Sequence, residues 1–357
     1  MVVLRYLKKQ CIAAPSSCHR IFHHDYIGGS FIKRTVSSSS LSKDDDQKTV
    51  DRLAHDILGK PRFDKDGDST TMRQRIALSK SITLVESKSN EKRLMADSLL
   101  AQLRNDPSSS RRAFRLGIAG PPGVGKSSLI EALALHILES DKNNKNKDSF
   151  CPEKIAVLCI DPSSHVTGGS ILGDKTRMSR LSYHPNAYVR PSPTSGCLGG
   201  LGAYTYDAAT LCEFANYELT IIETVGVGQT EVELANCCDL FLLLLAPGGG
   251  DELQGSKKGI VEVADFLVVN KADGQLHDTA RKTANEYKKA MGLLRKPPRW
   301  WGSDENDCSN HTKSPPVLLV SARTGIGITE LWDEIVKFRR NGEISGYIHK
   351  KRLLQRR

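Results

Sequence analysis

The amino-acid sequence predicts an α/β protein: a doubly wound, mostly parallel sheet with a helical N-terminal extension and a short basic C-terminal tail. Three observations carry that expectation. Short apolar runs alternate with helical stretches from residue 115 onward, a glycine-rich turn stands between the first such run and the first such helix, and the excess positive charge is concentrated at the two ends. Alternating strand and helix is the pattern of a parallel sheet covered on both faces, because each crossover lays a helix on one face.

The candidate strands are 115–119, 155–160, 219–223, 240–245, 266–270 and 317–320. Each is short and bounded by turn-forming or polar residues. Candidate helices begin near Lys126, Ala203, Thr230, Gly255, Asp278 and Gly327. Upstream, residues 47–105 are polar and helix-leaning, and over 72–103 the side chains Ile76, Leu84, Leu94, Leu99 and Leu103 fall near helical spacing. Asn105-Asp106-Pro107 and three serines then break the pattern. The expected organisation is a leader over 1–43, a helical extension over 44–110, the α/β domain over 111–338 and a basic tail over 339–357. Residues 295–315, with paired prolines and paired tryptophans, read as a surface excursion.

The net charge of +10 tempts a nucleic-acid reading, but its distribution argues against one. Residues 1–43 carry +6 and residues 337–357 carry +7, which leaves about −3 for everything between. A core built to neutralise phosphate backbones is therefore excluded, and no nucleic-acid partner is expected. No apolar run reaches the ~18 residues of a spanning helix, and no membrane partner is expected. Nine cysteines without repeated spacing describe free thiols in a reducing compartment rather than a disulfide framework. Residues 1–40 are nearly free of acids, hold spaced Arg and Lys, and end in Ser37–Ser40. That is the composition of a mitochondrial transit peptide, which implies the matrix; a basic tail with no address is the competing reading.

Gly120-Pro121-Pro122-Gly123-Val124-Gly125-Lys126-Ser127, followed by Ser128, matches G-x-x-x-x-G-K-[ST] between a strand and a helix. Glycines let successive backbone N–H groups turn inward onto phosphate oxygens. Lys126 adds a point charge at the β/γ-phosphates, and the Ser127 hydroxyl is a ligand for Mg²⁺. The helix that starts there points the positive end of its dipole at the same anion.

The base is named further on. Asn270-Lys271-Ala272-Asp273 lies at a strand's carboxyl end, where an Asp carboxylate can accept N1–H and the exocyclic amine of guanine together. Adenine cannot offer that pair, and a site built for it rejects the base lacking it. Ser321-Ala322-Arg323 ends the last strand, where a backbone N–H could meet the guanine oxygen. The set favours GTP over ATP. Between these motifs, Asp161 can hold Mg²⁺ through water or cap a helix before Pro162. Glu223-Thr224-Val225-Gly226 stands where small GTPases carry Asp-x-x-Gly, and a buried structural acid is its alternative reading. Phosphoryl transfer needs mainly positioning and charge, so few groups suffice. Arg177 is a candidate arginine finger. Glycine loops at 168–174 and 247–252 are candidates for elements ordered by the γ-phosphate. His165, His184 and Cys197 lack the spacing of a transition-metal site.

With these motifs placed, the chain from about 71 to 337 resembles the methylmalonyl-CoA mutase-associated GTPase chaperones, the MeaB/ArgK/MMAA family of P-loop GTPases. The resemblance is carried by GPPGVGKSSLIEAL (120–133), DPSSHVTGGSILGDKTRM (161–178), RPSPTSGCLGG (190–200), IETVGVGQTEVE (222–233), GGGDELQGSKKGI (248–260), NKADG (270–274), SARTGIGI (321–328) and ALSKSITLVES (77–87). It implies a P-loop GTPase domain that binds GTP/GDP and Mg²⁺, docks on adenosylcobalamin-dependent methylmalonyl-CoA mutase, and gates cofactor loading and removal of damaged cofactor. Cobalamin-delivery proteins are more remote partners. Animal members are mitochondrial matrix proteins. Lys126, Ser127, Asp161, Asp174 and Glu223 fall on the family's phosphate, Mg²⁺ and hydrolysis positions, and residues 251–258 on a loop that relays nucleotide state to the mutase. The family is also similar to proteins once labelled arginine/ornithine transport kinases.

Two departures stand out. The polar stretch 302–314 is an insertion, and the chain stops at Arg357 where family members continue into a long dimerisation arm, which puts a homodimer through that arm in question. Two alternatives remain open from sequence: a phosphoryl-transferring kinase, and a metal-insertion GTPase of the same superfamily. The latter needs Cys/His clusters such as Cys-Pro-His, whereas here Cys151-Pro152 is followed by Glu153.

Overall fold

The computed structural model describes residues 21–27, 30–36, 44–60, 70–107, 113–140, 150–162, 178–194, 200–224, 229–249, 258–293 and 315–355. Seven parallel strands form the central sheet: β3 (Phe114–Ala119), β4 (Ile155–Pro162), β5 (Ala187–Thr194), β6 (Leu219–Thr224), β7 (Leu240–Leu245), β8 (Phe266–Val269) and β9 (Val317–Leu319). Their order is β5-β4-β6-β3-β7-β8-β9. The strand that feeds the glycine loop, β3, is thus the centre of the sheet. Within the segment read as a leader, β1 (Ile21–Ile27) and β2 (Ser30–Val36) pair antiparallel in a two-stranded sheet of their own.

Both faces of the large sheet are covered. In β7 the run LFLLLL is buried at every position. Leu240, Leu242 and Leu244 belong to one core, with α4 (Lys126–Glu139) and α10 (Ile328–Ile344). Phe241, Leu243 and Leu245 belong to the other, with α6 (Gly200–Phe214) and α9 (His277–Leu293). An uninterrupted apolar strand is what a period of two produces when neither face meets water. The remaining helices of the α/β part are α5 (Ser179–Tyr183), α7 (Gln229–Cys237), α8 (Lys258–Val263) and α11 (Tyr347–Gln355). Among the described residues no helix is long and apolar enough to cross a membrane.

The strands and helices expected from sequence are present, with ends shifted by no more than three residues. Two features differ. β5 was not expected, because Pro191 and Pro193 interrupt it. Proline has no N–H to give a ladder and is tolerated where a strand has a neighbour on one side only. β5 is that edge strand, and its one partner is β4.

The N-terminal extension is three helices, α1 (Asp44–Ile57), α2 (Thr70–Val85) and α3 (Asn90–Asn105), so the helical pattern over 72–103 is two helices and not one. Residues 86–89 break it, where Ser87 Oγ accepts the Ser89 N–H, the kind of local bond with which serine competes against a helix. Ile76 fits the helical period but is exposed, and Leu84 is only partly buried where it packs against the core. The buried face of α2 is Ala77, Leu78, Ser81, Ile82 and Val85. The three helices pack on one another, and α2 and α3 reach α6. Two arginines tie α2 to the β5 edge. Arg190 reaches Ser79 Oγ (3.1 Å), Thr83 Oγ1 (3.1 Å) and Glu86 Oε2 (2.7 Å), and Arg75 donates to the Ala187 carbonyl (2.8 Å).

Residues 339–344 and 347–355 of the basic tail are helical, and part of their charge is buried. Arg352 on α11 donates from Nε to Asp239 Oδ1 at 2.7 Å and reaches the Ala113 carbonyl. Asp239, fully buried, also accepts the Arg115 N–H at 2.8 Å. Arg115 in turn pairs with Glu213 (2.8 Å) and Thr210 (3.0 Å) on α6 and lies over the Tyr206 ring. Lys351 and Gln355 donate to the carbonyls of Asp239 and Cys238. Burial alone would push the Asp239 carboxyl up. The charge and hydrogen bonds of Arg352, with those of Arg115, overcome it and hold Asp239 below the ordinary carboxylate range.

Arg352→Ala leaves Asp239 buried without its main counter-charge, and we expect urea unfolding to show a loss of about 3–5 kcal/mol at neutral pH. The stabilisation belongs to a depressed native pKa, so it is present above the unfolded carboxylate value of ~3.9 and lost as pH falls through the native one. The gap between wild type and Arg352→Ala should therefore narrow below about pH 4. A gap that widens on acidification would contradict this account.

Candidate nucleotide site

The motifs meet at the carboxyl edge of the sheet because the ladder aligns them. Ile118 on β3 pairs with Glu223 on β6, so the glycine loop leaves the sheet beside that carboxylate. On the other side, Asn270 follows β8 and donates its N–H to the Leu245 carbonyl, and Val320 donates to Val269. Three loops thus share one rim.

Two glycines are required by contact. A Cβ on Gly120 would lie 2.7 Å from the Leu244 carbonyl oxygen. At Gly125 the backbone is left-handed (φ 93°), and a Cβ would stand 2.6 Å from Asn270 Nδ2. Gly125 is also the residue before α4, whose start has no side-chain cap. The first amides of α4 are left for an anion, which is the arrangement phosphate sites use.

Lys126 is buried and its ammonium donates back to the loop, to the carbonyls of Gly120 (2.8 Å) and Pro121 (3.1 Å). Ser127, also buried, donates its hydroxyl to Glu223 Oε1 at 2.9 Å. A hydroxyl and a carboxylate offered together by the loop and by β6 fit a hard divalent cation. Ser128 is exposed on α4, as are Pro122 and Gly123 in the loop.

Asn270 joins the two ends of the cleft. Its Nδ2 donates to the Val124 carbonyl (2.9 Å), and its Oδ1 accepts the Ala322 N–H (3.2 Å). Lys271, in the left-handed region at φ 59°, extends over the loop and donates to the Gly123 carbonyl at 2.8 Å. Asp273 accepts from Arg323 Nε (2.8 Å), and Arg323 Nη2 lies 2.7 Å from the same carboxylate. Ser321 is fully buried, and its Oγ accepts the Thr324 N–H, fixing the turn that presents Ala322 and Arg323.

Of the remaining expected residues, Asp161 lies within β4, two positions past Cys159, which pairs with Glu223. The side chain of Asp161 lies outside the described residues, as do Asp174, Arg177, the loop 168–174 and residues 250–257. Sequence reasoning passed over Glu231. It is buried on α7 and, with Gly120, Pro121 and Tyr287, lines a cavity of about 10 Å³ under the loop. The signal was a carboxylate two residues into a helix facing the all-apolar β7. It also missed Thr283 and Tyr287, which pin the loop after β7 by bonds to the Gly248 N–H (2.9 Å) and the Gly249 carbonyl (3.3 Å).

The sequence matches, over residues 78–357, the family described as methylmalonyl Co-A mutase-associated GTPase MeaB. The chain belongs to this family. A Mycobacterium tuberculosis protein named "Probable GTPase" is 47% identical over 304 residues, covering 85% of this chain and 78% of that protein. The mouse protein named "Methylmalonic aciduria type A homolog, mitochondrial" is 44% identical over 291 residues, covering 79% of this chain and 64% of that protein. Among solved structures, a "LAO/AO transport system kinase" superposes with a TM-score of 0.61 at 28% identity, covering 90% of this chain and 82% of that one. The family resemblance read from the motifs is borne out, and so are the doubly wound α/β fold and the GTPase assignment. As a MeaB-family protein, the chain is a P-loop GTPase.

Gly125→Ala forces a side chain into the left-handed region and against Asn270. Strain of about 1–3 kcal/mol is expected there, hence a fall in GDP affinity of roughly 10- to 100-fold in an equilibrium titration. Unchanged affinity would mean that the loop re-forms around the methyl group.

Proposed function

We propose that this protein is a Mg²⁺-dependent GTP switch that docks on adenosylcobalamin-dependent methylmalonyl-CoA mutase and gates loading and protection of its cobalamin. The observation that carries the nucleotide half is Asn270, which holds the phosphate loop at Val124 and the base-end loop at Ala322 in one side chain. A site joined in that way reads base and triphosphate as a single ligand.

In this reading, Asp273 accepts N1–H and the 2-amino group of guanine, and the Ala322 amide faces the guanine oxygen. Lys126 exchanges its loop carbonyls for β- and γ-phosphate oxygens. Ser127 and Glu223 would hold a Mg²⁺ ion, with Asp161 and Asp174 as the family's further positions, and the ion would supply charge neutralisation at those oxygens. Glu223, or Asp161, orients the attacking water in line with the leaving diphosphate. The chemistry asks the protein for placement and electrostatics, and every group named here supplies one of the two.

The partner half rests on the family's description, which names the mutase. A matrix location is supported by the leader composition together with the mitochondrial name of the mouse relative. Hydrolysis would then be the timing step and docking the output.

Lys126→Ala should lose nucleotide binding, and retention of wild-type binding and turnover would refute the phosphate assignment. Glu223→Gln should keep GDP binding and slow hydrolysis on the order of 10²- to 10³-fold in single-turnover assays. For the partner, co-purification with the mutase should differ between the GTP-analogue and GDP states. Failure to associate in either state would sink the chaperone reading and leave the GTPase standing.

A further inference from the structure

We infer that the Arg323 side chain is a specificity-positioning residue: it holds the Asp273 carboxylate in the orientation that reads the 2-amino group of the purine. The inference rests on the guanine-nucleotide reading and deepens it.

The geometry is asymmetric. Arg323 donates from Nε to Asp273 Oδ2 at 2.8 Å, and its Nη2 lies 2.7 Å from the same oxygen. With Cβ tethered to the backbone, holding Oδ2 in place leaves the carboxylate one orientation, and the grip leaves Oδ1 to the base. Exposure is unequal as well: Arg323 is 79% exposed, whereas Asp273 is 11% exposed. A guanidinium that stands in water on its outer side and grips a sheltered carboxylate on its inner side gives the fold little. The guanidinium side of the pair stays in water, where solvent screens it and its contribution to stability is small. Its effect should therefore appear in recognition and not in stability.

The two residues come from different loops. Asp273 follows β8, and Arg323 follows β9 in the turn set by Ser321 and Thr324. The backbones of those loops are already joined by the Ala272 N–H to Val320 carbonyl bond and by Asn270 to Ala322. Neither bond limits rotation of the Asp273 side chain. Arg323 does. A planar fork restricts a carboxylate in a way a lysine point charge does not.

The consequence is specific to the number of bonds the base makes. Guanine offers N1–H and the 2-amino group, and both must find the two carboxylate oxygens at once. Hypoxanthine offers N1–H alone, so a carboxylate free to rotate can still follow it. Loss of Arg323 should therefore weaken guanine more than hypoxanthine.

The test measures GDP, IDP and ADP affinity by competition titration on the full chain, with thermal unfolding in parallel. For Arg323→Ala we expect GDP to weaken on the order of tenfold and IDP by less than about threefold, so the GDP:IDP preference collapses. Arg323→Lys should recover only part of the preference, and the Tm of both variants should stay near wild type. Equal weakening of GDP and IDP would overturn the inference and would instead make Arg323 a cover for the base face. An unchanged GDP:IDP ratio would overturn it too. If wild type fails to prefer GDP over ADP, the guanine reading itself falls and takes this inference with it. A wild type that prefers GDP with an insensitive Arg323→Ala leaves that reading intact.

Discussion

One buried carboxylate organises the amino-end half of this fold. Asp239 sits between α7 and β7 and accepts bonds from the Arg352 side chain and from the backbone of Arg115 on the central strand. Removing a charge from water is costly unless it is matched, and the match here is assembled from four separated stretches of chain. β3 supplies Arg115, α6 supplies Glu213 and Thr210, the α7–β7 turn supplies Asp239, and α11 supplies Arg352. The strand that launches the phosphate loop is thereby clamped at the end opposite to the loop. Its position is set by ions, and the apolar ladder then carries that position along to Gly120.

The carboxyl edge is built on a different principle. There the ties are neutral or single-charge bonds from side chains to loop carbonyls: Asn270 to Val124, Lys271 to Gly123, Lys126 to Gly120 and Pro121. Such bonds stabilise by about 1 kcal/mol each and can be exchanged for others. Rigid charge at the base of the sheet and exchangeable hydrogen bonds at its rim suit a protein whose rim must take up and release a phosphate ligand.

Much of this was legible in the residues. The phosphate loop, the NKxD stretch and the SAR turn are local, each set by residue types within eight positions, and all three lie where the alternation of strands and helices put them. The features that escaped are non-local or were masked by a local rule. β5 reads as a loop because of Pro191 and Pro193, and only its place at the sheet edge makes those prolines admissible. Ile76 keeps the helical period but lies off the face that packs, and no spacing rule says which face an isolated helix will bury. Arg352 looked like one more charge in a basic tail, since its partner Asp239 is 113 positions away. Glu231 was unremarkable in sequence because its place under the loop depends on the register between β3 and its neighbours.

The prolines of β5 carry a further consequence. They stand two residues apart, so they share one side of the strand, and β4 occupies the other side. The outward rim of the sheet therefore lacks a donor at both positions, and a strand from another molecule has no regular ladder to join. At the opposite rim β9 is only three residues long. A sheet that ends in a donor-poor strand on one flank and a very short one on the other resists growth by strand addition. Contacts between copies, or with a partner, are thereby steered away from the sheet and onto the helices and loops that cover it.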